Sequence, residues 1–185
     1  MQYIVKAPNR IKAEINLPAS KSISNRVLVI HSLSGGNATL HNLSDCDDTQ
    51  VMINALRDMP EVIDIKAAGT AMRFMSAYLS VTEGEQVITG TERMKHRPIG
   101  VLVDALRRLG ADIEYVGEQG YPPLRIRGKQ LEGGTLEVPG NISSQYISAL
   151  LMIGPALRNG LELRLTGDII SRPYIDLTLH VMHEF

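Results

Sequence analysis

A polar turn followed by an apolar helix pattern recurs along this chain, and this repeat limits the folds that the chain can adopt. The first copy reads LPASKSISNRVLVI (17–30) and a second reads VPGNISSQYISALLM (138–152). A third copy, IKAAGTAMRFMSAYL (65–79), has Gly69 and Thr70 in its turn. Each copy has small residues where a helix would begin and apolar residues at helical spacing after them. The chain is therefore predicted to consist of three related units.

Each repeat is followed by a strand-like segment and a second helix. The strand-like segments cover positions 38–43, 86–90 and 161–167. Pro98 and Pro173 favour the starts of two of the second helices, which are predicted over 49–59, 98–109 and 173–185. Two further strands follow the middle unit, at 111–117 and 123–128. This order predicts an α/β (mixed α+β) fold of pseudo-threefold strand–helix–strand–helix–strand–strand units, with helices packed against mixed sheets.

The three units differ in completeness. The middle unit has its two trailing strands, the first has only EVIDIKAA (61–68), and the third stops at Phe185. The pattern favours a chain that is part of a longer protein, with a truncated third unit. The alternative is a last helix that simply closes the fold.

Charge and cysteine content exclude several classes of protein. The net charge is −1, so the chain lacks the basic excess of a nucleic-acid-binding surface. Its single cysteine, Cys46, cannot form an internal disulfide and fits a reducing compartment. The sequence has neither an apolar run of the ~20 residues that a membrane span needs nor a signal-peptide pattern. Only His180 and His183 have helical spacing and no third ligand accompanies them, so a cytoplasmic protein without a metal is predicted.

The three polar turns carry the residue types of an anion-binding site. They are Ser20-Lys21-Ser22, Ala68-Gly69-Thr70 and Ser143-Ser144-Gln145. A helix N-terminus offers unpaired N–H groups and the positive end of the helix dipole, and three equivalent units around one core would bring these ends to one rim. The alternative is that the turns are ordinary caps, each stabilising its own helix by ~1 kcal/mol. Recurrence in three turns favours a ligand site.

A second basic segment, TERMKHRPIG (91–100), precedes a predicted helix. Four basic residues between Arg93 and Arg97 lie at the helix end where the dipole disfavours cations. Arg172 has the same position before Pro173 in the third unit. Because a guanidinium binds carboxylate or phosphate through two parallel bonds, the recurrence favours a binding role over a solvated loop.

Five motifs together resemble the enolpyruvyl transferases. They are LPASKSISNR, AGTAMR, ERMKHRPIG, VPGNISSQYISALLM and SRPYI, in this order along nearly the whole chain. Within the family they are most similar to the members that act on shikimate 3-phosphate. The resemblance implies two similar domains that close over the substrates. Residues 1–16 would then be a strand segment belonging with the second domain, and 17–185 the shikimate-phosphate-binding domain, incomplete at its C-terminus.

The reaction implied by the resemblance is the transfer of the enolpyruvyl group of phosphoenolpyruvate to the 5-hydroxyl of shikimate 3-phosphate. It proceeds through a tetrahedral intermediate, releases phosphate, uses no cofactor and belongs to the shikimate pathway of aromatic amino-acid biosynthesis. The implied partners are these two small molecules and, for the full-length protein, glyphosate-type inhibitors. Neither nucleic acid nor a membrane is implied, and the protein is expected to be a monomer.

The resemblance also assigns site residues. Lys21 is the catalytic candidate in this chain and contacts both substrates, as does Gln145. Shikimate 3-phosphate is assigned to Ser22, Arg26, Ser143, Ser144, Ser171 and Tyr174. Phosphoenolpyruvate is assigned to Gly69, Thr70 and Arg97.

Departures from the family pattern limit these assignments. Ala67 replaces a usual asparagine and Phe74 a usual proline, and the acid/base carboxylates of the family lie in the second domain, so this chain alone is expected to be inactive. Two rival functions remain open. One is enolpyruvyl transfer to UDP-N-acetylglucosamine, and the other is a non-catalytic anion-binding domain.

Overall fold

The computed structural model describes residues 2–185, and Met1 lies outside this range. The helices are α1 (Lys21–Leu33), α2 (Asp47–Asp58), α3 (Gly69–Val81), α4 (Glu92–Lys95), α5 (Gly100–Arg108), α6 (Ser144–Ile153) and α7 (Arg172–His183). The strands are β1 (Val62–Asp64), β2 (Gly84–Thr89), β3 (Asp112–Tyr115), β4 (Leu124–Gly128), β5 (Gly134–Pro139) and β6 (Leu161–Thr166). Within residues 2–185, no helix combines the length and the apolar character that crossing a bilayer requires.

The three helices with polar starts, α1, α3 and α6, pack against one another. Helix α3 is buried along almost its whole length, because its sequence has small or apolar residues on every face. Phe74, Met75 and Leu79 of this helix are fully buried. Helix α2 packs against α1, α5 against α3, and α7 against α6. Helices α1, α3 and α6 thus each contact the second helix of the same predicted unit.

The strands form two sheets. The first has the order β1-β2-β4-β3, in which β1 is parallel to β2 and the other two pairs are antiparallel. The second consists of β5 and β6 in parallel. The first sheet is buried on one face, as its strand alternation requires: Ile88 and Ile126 are fully buried, whereas the neighbouring Arg125 and Arg127 pair with exposed carboxylates.

The predicted fold class is confirmed, because the structure combines helices with a mixed sheet. The predicted second helices are α2, α5 and α7, with ends that differ by no more than two residues from those predicted. The strands predicted at 86–90, 111–117, 123–128 and 161–167 are β2, β3, β4 and β6.

Two predicted strands are absent from the described part of the chain. Residues 38–43 and 2–16 contain no strand, and Tyr3, Ile11 and Ile15 of the latter segment are exposed. Alternating apolar residues meet only one requirement of a strand, because its N–H and C=O groups also need a neighbouring strand. Neither segment pairs with a strand of residues 2–185, so the strand predicted at 38–43 is wrong for this structure. The strand segment at 1–16 is expected to belong with a second domain, so it stays a prediction.

Candidate anion-binding site

Three helices begin around one open cavity of about 320 Å³. The cavity is lined by Lys21, Ser22, Arg26, Thr70, Ser143, Ser144, Gln145 and Tyr174. All eight are predicted site residues, and they come from the starts of α1, α3 and α6 and from the first turn of α7. Within the described chain, no carboxylate lines this cavity. The structure therefore brings the three polar turns together, as the repeat predicts.

The helix starts differ in how they are capped. The Ser20 hydroxyl accepts a hydrogen bond from the Ile23 N–H (3.4 Å), and the Ser143 hydroxyl accepts one from the Gln145 N–H (3.3 Å). Helix α3 has Ala68 as its N-cap, which has no hydroxyl to offer its first N–H groups. Ser143 is thus a helix cap as well as a cavity-lining residue, whereas the start of α3 leaves its donors open to a ligand.

Lys21, the first residue of α1, forms an ion pair with Asp48 in the first turn of α2. The Lys21 Nζ lies 3.2 Å from the Asp48 Oδ2, and the lysine side chain is half exposed. Asp47 and Asp48 lie in the first turn of α2, whose N-cap, Cys46, forms no side-chain capping bond. The ion pair with Asp48 orients Lys21.

Arg26 lines the cavity although only 3% of the residue is exposed. Its N–H groups donate to neutral oxygens: Thr178 Oγ1 (2.7 Å), Ser22 O (2.9 Å), Ser148 Oγ (2.9 Å) and Tyr174 O (3.3 Å). Burial lowers the pKa of Arg26 to about 10, against an opposing effect of the Tyr174 phenol, so the guanidinium stays charged at neutral pH. No carboxylate of the described residues pairs with it, and its charge is available to an anion.

A smaller cavity of about 160 Å³ lies beside the turn that precedes α3. It is lined by Ala67, Arg93, Met94 and Arg97. The Arg97 guanidinium lies directly over Gly69, so that a Cβ on Gly69 would be 2.7 Å from the Arg97 Cζ and closer still to both Nη atoms. Among residues 2–185, the Arg97 side chain has neither a hydrogen-bond partner nor an ion-pair partner. An unpaired guanidinium over a helix N-terminus is suited to a phosphate or carboxylate.

Arg73 was not predicted as a site residue, yet it joins the two parts of this smaller site. It is buried, and it donates to Gly69 O (3.1 Å) and to Pro98 O (2.9 Å). The Tyr146 hydroxyl donates to the same Pro98 oxygen (2.8 Å). Arg73 thereby fixes the turn of Gly69 relative to the segment that carries Arg97. The available signal was a lone arginine in an apolar helix, four residues after Gly69.

Two predicted residues line neither cavity: Gly69, which lies under the Arg97 guanidinium, and Ser171. Ser171 is exposed and forms the N-cap of α7 with φ 58°, and its carbonyl accepts a bond from the Tyr174 N–H (3.1 Å). Its assignment to the substrate phosphate stays a prediction. Ser148 and Thr178, which hold Arg26, were also missed, because two hydroxyls on separate helices give no local pattern.

Comparison with known proteins agrees with this arrangement. A family model described as EPSP synthase (3-phosphoshikimate 1-carboxyvinyltransferase) matches residues 5–63 and 58–185. The chain belongs to the EPSP synthase family. The 3-phosphoshikimate 1-carboxyvinyltransferase of Bacteroides fragilis strain YCH46 is 67% identical over the whole chain, and that of Vibrio cholerae strain M66-2 is 42% identical over 95% of it. The resemblance to enolpyruvyl transferases is therefore confirmed.

A solved EPSP synthase from Acinetobacter baumannii has the same fold, with a TM-score of 0.68 and 26% identity over 78% of this chain. The chain spans less than half the length of these members of the EPSP synthase family. It covers 45% of the Bacteroides fragilis protein, 47% of the Vibrio cholerae protein and 39% of the Acinetobacter baumannii chain.

Proposed function

We propose that this chain provides the shikimate 3-phosphate-binding half of an enzyme that transfers the enolpyruvyl group of phosphoenolpyruvate to the 5-hydroxyl of shikimate 3-phosphate. The 5-hydroxyl adds to C2 of phosphoenolpyruvate while C3 takes up a proton. The tetrahedral adduct then loses a proton from C3 and phosphate from C2, which leaves the enol ether. The chain as given is proposed to bind substrate without completing this reaction.

The observation that supports the proposal most strongly is the cavity at the starts of α1, α3 and α6. Its lining has two cationic groups, four hydroxyl groups of serine and threonine, and an amide, without a carboxylate among the described lining residues. Shikimate 3-phosphate carries a phosphate, a carboxylate and two free hydroxyls, so each type of group in the ligand has a matching donor. A purely structural cavity would have no reason to leave Arg26 buried without an anionic partner.

The roles proposed for individual residues are those that the family resemblance implies, and the shared cavity supports them. Ser143 and Ser144 at the start of α6 bind the phosphate group together with Ser171. Ser171 is close in sequence to Tyr174, which lines the shikimate side of the cavity. Arg26 and Ser22, one helical turn apart, bind the shikimate ring substituents.

Phosphoenolpyruvate is proposed to lie at the start of α3, held by the Gly69 turn, Thr70 and Arg97. Gln145 joins the two ligands, since its Nε2 donates to Thr70 Oγ1 (3.1 Å) across the gap between α6 and α3. Lys21 lies between both ligands.

Calorimetric titration of the 185-residue chain with shikimate 3-phosphate tests the proposal. We expect binding that is at least about tenfold tighter than for shikimate, because each charged hydrogen bond to the phosphate contributes ~1.5–3 kcal/mol. Arg26→Lys should weaken binding, whereas Arg158→Gln, which removes an exposed ion pair with Glu132, should not. Equal affinity for shikimate and its 3-phosphate, or preferential binding of UDP-N-acetylglucosamine, would contradict the proposal.

A second measurement tests whether the chain binds its substrates without turning them over. The purified chain mixed with both substrates should release no phosphate above background, because positioning and water exclusion depend on closure over the substrates. Sustained phosphate release together with enolpyruvyl product would show that this half suffices for catalysis.

A further inference from the structure

Arg26 is held by a network that contains no other charge. The Ser148 and Thr178 hydroxyls, which both accept bonds from the guanidinium, lie 2.7 Å from each other, and Thr178 Oγ1 also donates to Tyr174 O (2.8 Å). All of these acceptors are hydroxyl or carbonyl oxygens. A guanidinium this deeply buried normally has a carboxylate partner, so another feature has to offset the loss of its hydration.

Two aromatic rings lie within cation–π distance of this guanidinium. The Arg26 Cζ is 5.3 Å from the centre of the Phe74 ring and 5.9 Å from the centre of the Tyr174 ring. Phe74 is fully buried, whereas Tyr174 is 49% exposed. Cation–π attraction is stronger where water is excluded, and a buried ring has a fixed orientation. Phe74 is therefore the stronger and better-fixed of the two contacts.

We propose that Phe74 is a positioning residue for Arg26 in the binding of shikimate 3-phosphate. Its ring stabilises the guanidinium through its quadrupole and leaves the positive charge uncompensated. A carboxylate in the same place would also stabilise Arg26 but would compete with the anionic groups of the ligand. The inference rests on the proposed function, in which Arg26 contacts this ligand.

The position of Phe74 on α3 supports this role. Phe74 follows Thr70 by four residues, so the ring lies one helical turn below a residue that lines the cavity. Arg26 follows Ser22 by four residues on α1 in the same way, and Arg26 Nη1 donates to Ser22 O (2.9 Å). The contact between Phe74 and Arg26 therefore joins the second turns of the two helices whose first turns line the cavity.

The experiment compares Phe74→Leu with Met75→Leu in the 185-residue chain. Both residues are fully buried neighbours on α3, and both substitutions keep an apolar side chain, but successive residues point about 100° apart around a helix. Phe74→Met replaces Phe74→Leu if the leucine variant does not fold. Shikimate 3-phosphate affinity is measured by calorimetry, and the Arg26 Nε–H resonance is recorded by NMR without ligand. This proton is buried and donates to Thr178 Oγ1.

Phe74→Leu is expected to weaken shikimate 3-phosphate binding by about tenfold or more, because a guanidinium that is no longer held in place loses a charged hydrogen bond to the ligand. It should also shift the Arg26 Nε–H resonance, because the ring current of Phe74 is lost. Met75→Leu should change affinity by less than about twofold and leave that resonance in place. Unchanged affinity in Phe74→Leu, with normal binding by the wild-type chain, would overturn the inference and leave the proposed function intact. If the wild-type chain does not bind the ligand, the proposed function fails, and the role of Phe74 in ligand binding fails with it.

Discussion

Gly69→Ala should weaken phosphoenolpyruvate binding without destabilising the fold. Gly69 is the first residue of α3, and a Cβ there would lie 2.7 Å from the Arg97 Cζ. Since Gly69 does not have a left-handed backbone conformation, alanine is compatible with its backbone and even favours a helix by ~0.5–1 kcal/mol. The overlap is therefore relieved by movement of the Arg97 side chain.

The cost of that movement is the loss of at least one charged hydrogen bond between Arg97 and the ligand. Such a bond contributes ~1.5–3 kcal/mol, which corresponds to about ten- to a hundredfold in affinity. The assay is titration of phosphoenolpyruvate in the presence of saturating shikimate 3-phosphate, together with thermal unfolding. Shikimate 3-phosphate binding alone should change by less than about threefold, because Arg97 lines the other cavity.

Gly100→Ala is the matched control for this prediction. Gly100 is the first residue of α5, and a Cβ there would meet no atom closer than 3.5 Å. Both variants gain the same helix propensity, so they differ only in the contact with Arg97. If the two variants bind phosphoenolpyruvate equally well, Arg97 does not bind that ligand from its position over Gly69, and the reasoning is refuted.

Four further substitutions test the arginines of the site directly. Arg97→Lys should impair phosphoenolpyruvate binding far more than shikimate 3-phosphate binding, and Arg26→Lys should do the opposite, because lysine keeps the charge but loses the planar fork; titration of both ligands against both variants decides this. Arg26→Met should abolish shikimate 3-phosphate binding yet keep or raise the melting temperature, since replacing a buried charge that lacks an anionic partner is not expected to destabilise the fold. Arg73→Met should raise hydrogen exchange in the segment around Pro98 and weaken phosphoenolpyruvate binding by about tenfold, through the loss of a charged hydrogen bond that fixes this segment.

The elements that the sequence predicted well carry their own local signals. Helix α5 begins two residues after Pro98, α7 has Pro173 in its first turn, and α6 follows a serine that caps it. These signals act within a few residues, so they can be read without knowledge of the fold. The strand predicted at 38–43 failed because strand formation depends on a partner that the local pattern does not specify.

The site was predictable to the extent that it consists of helix starts. Ser22, Thr70 and Ser143 recur at the same position of a repeat, and repetition alone implied that they meet. The residues that support them were missed, because Ser148, Thr178 and Arg73 act through contacts between helices. The pairing of Asp48 with Lys21, 27 residues away, was missed for the same reason.

The way in which the arginines are partnered distinguishes the site from the rest of the surface. Arg127 on the exposed face of the first sheet pairs with Glu85 and Glu114, so its charge is balanced within the protein. Arg26 and Arg73 are far more buried, where an unbalanced charge costs more, yet their hydrogen bonds go to neutral acceptors. Fold stability alone would favour the reverse distribution, with carboxylates beside the buried charges. The unbalanced charge therefore supports the proposal of an anionic ligand, whose negative charge would complete the electrostatics of the site.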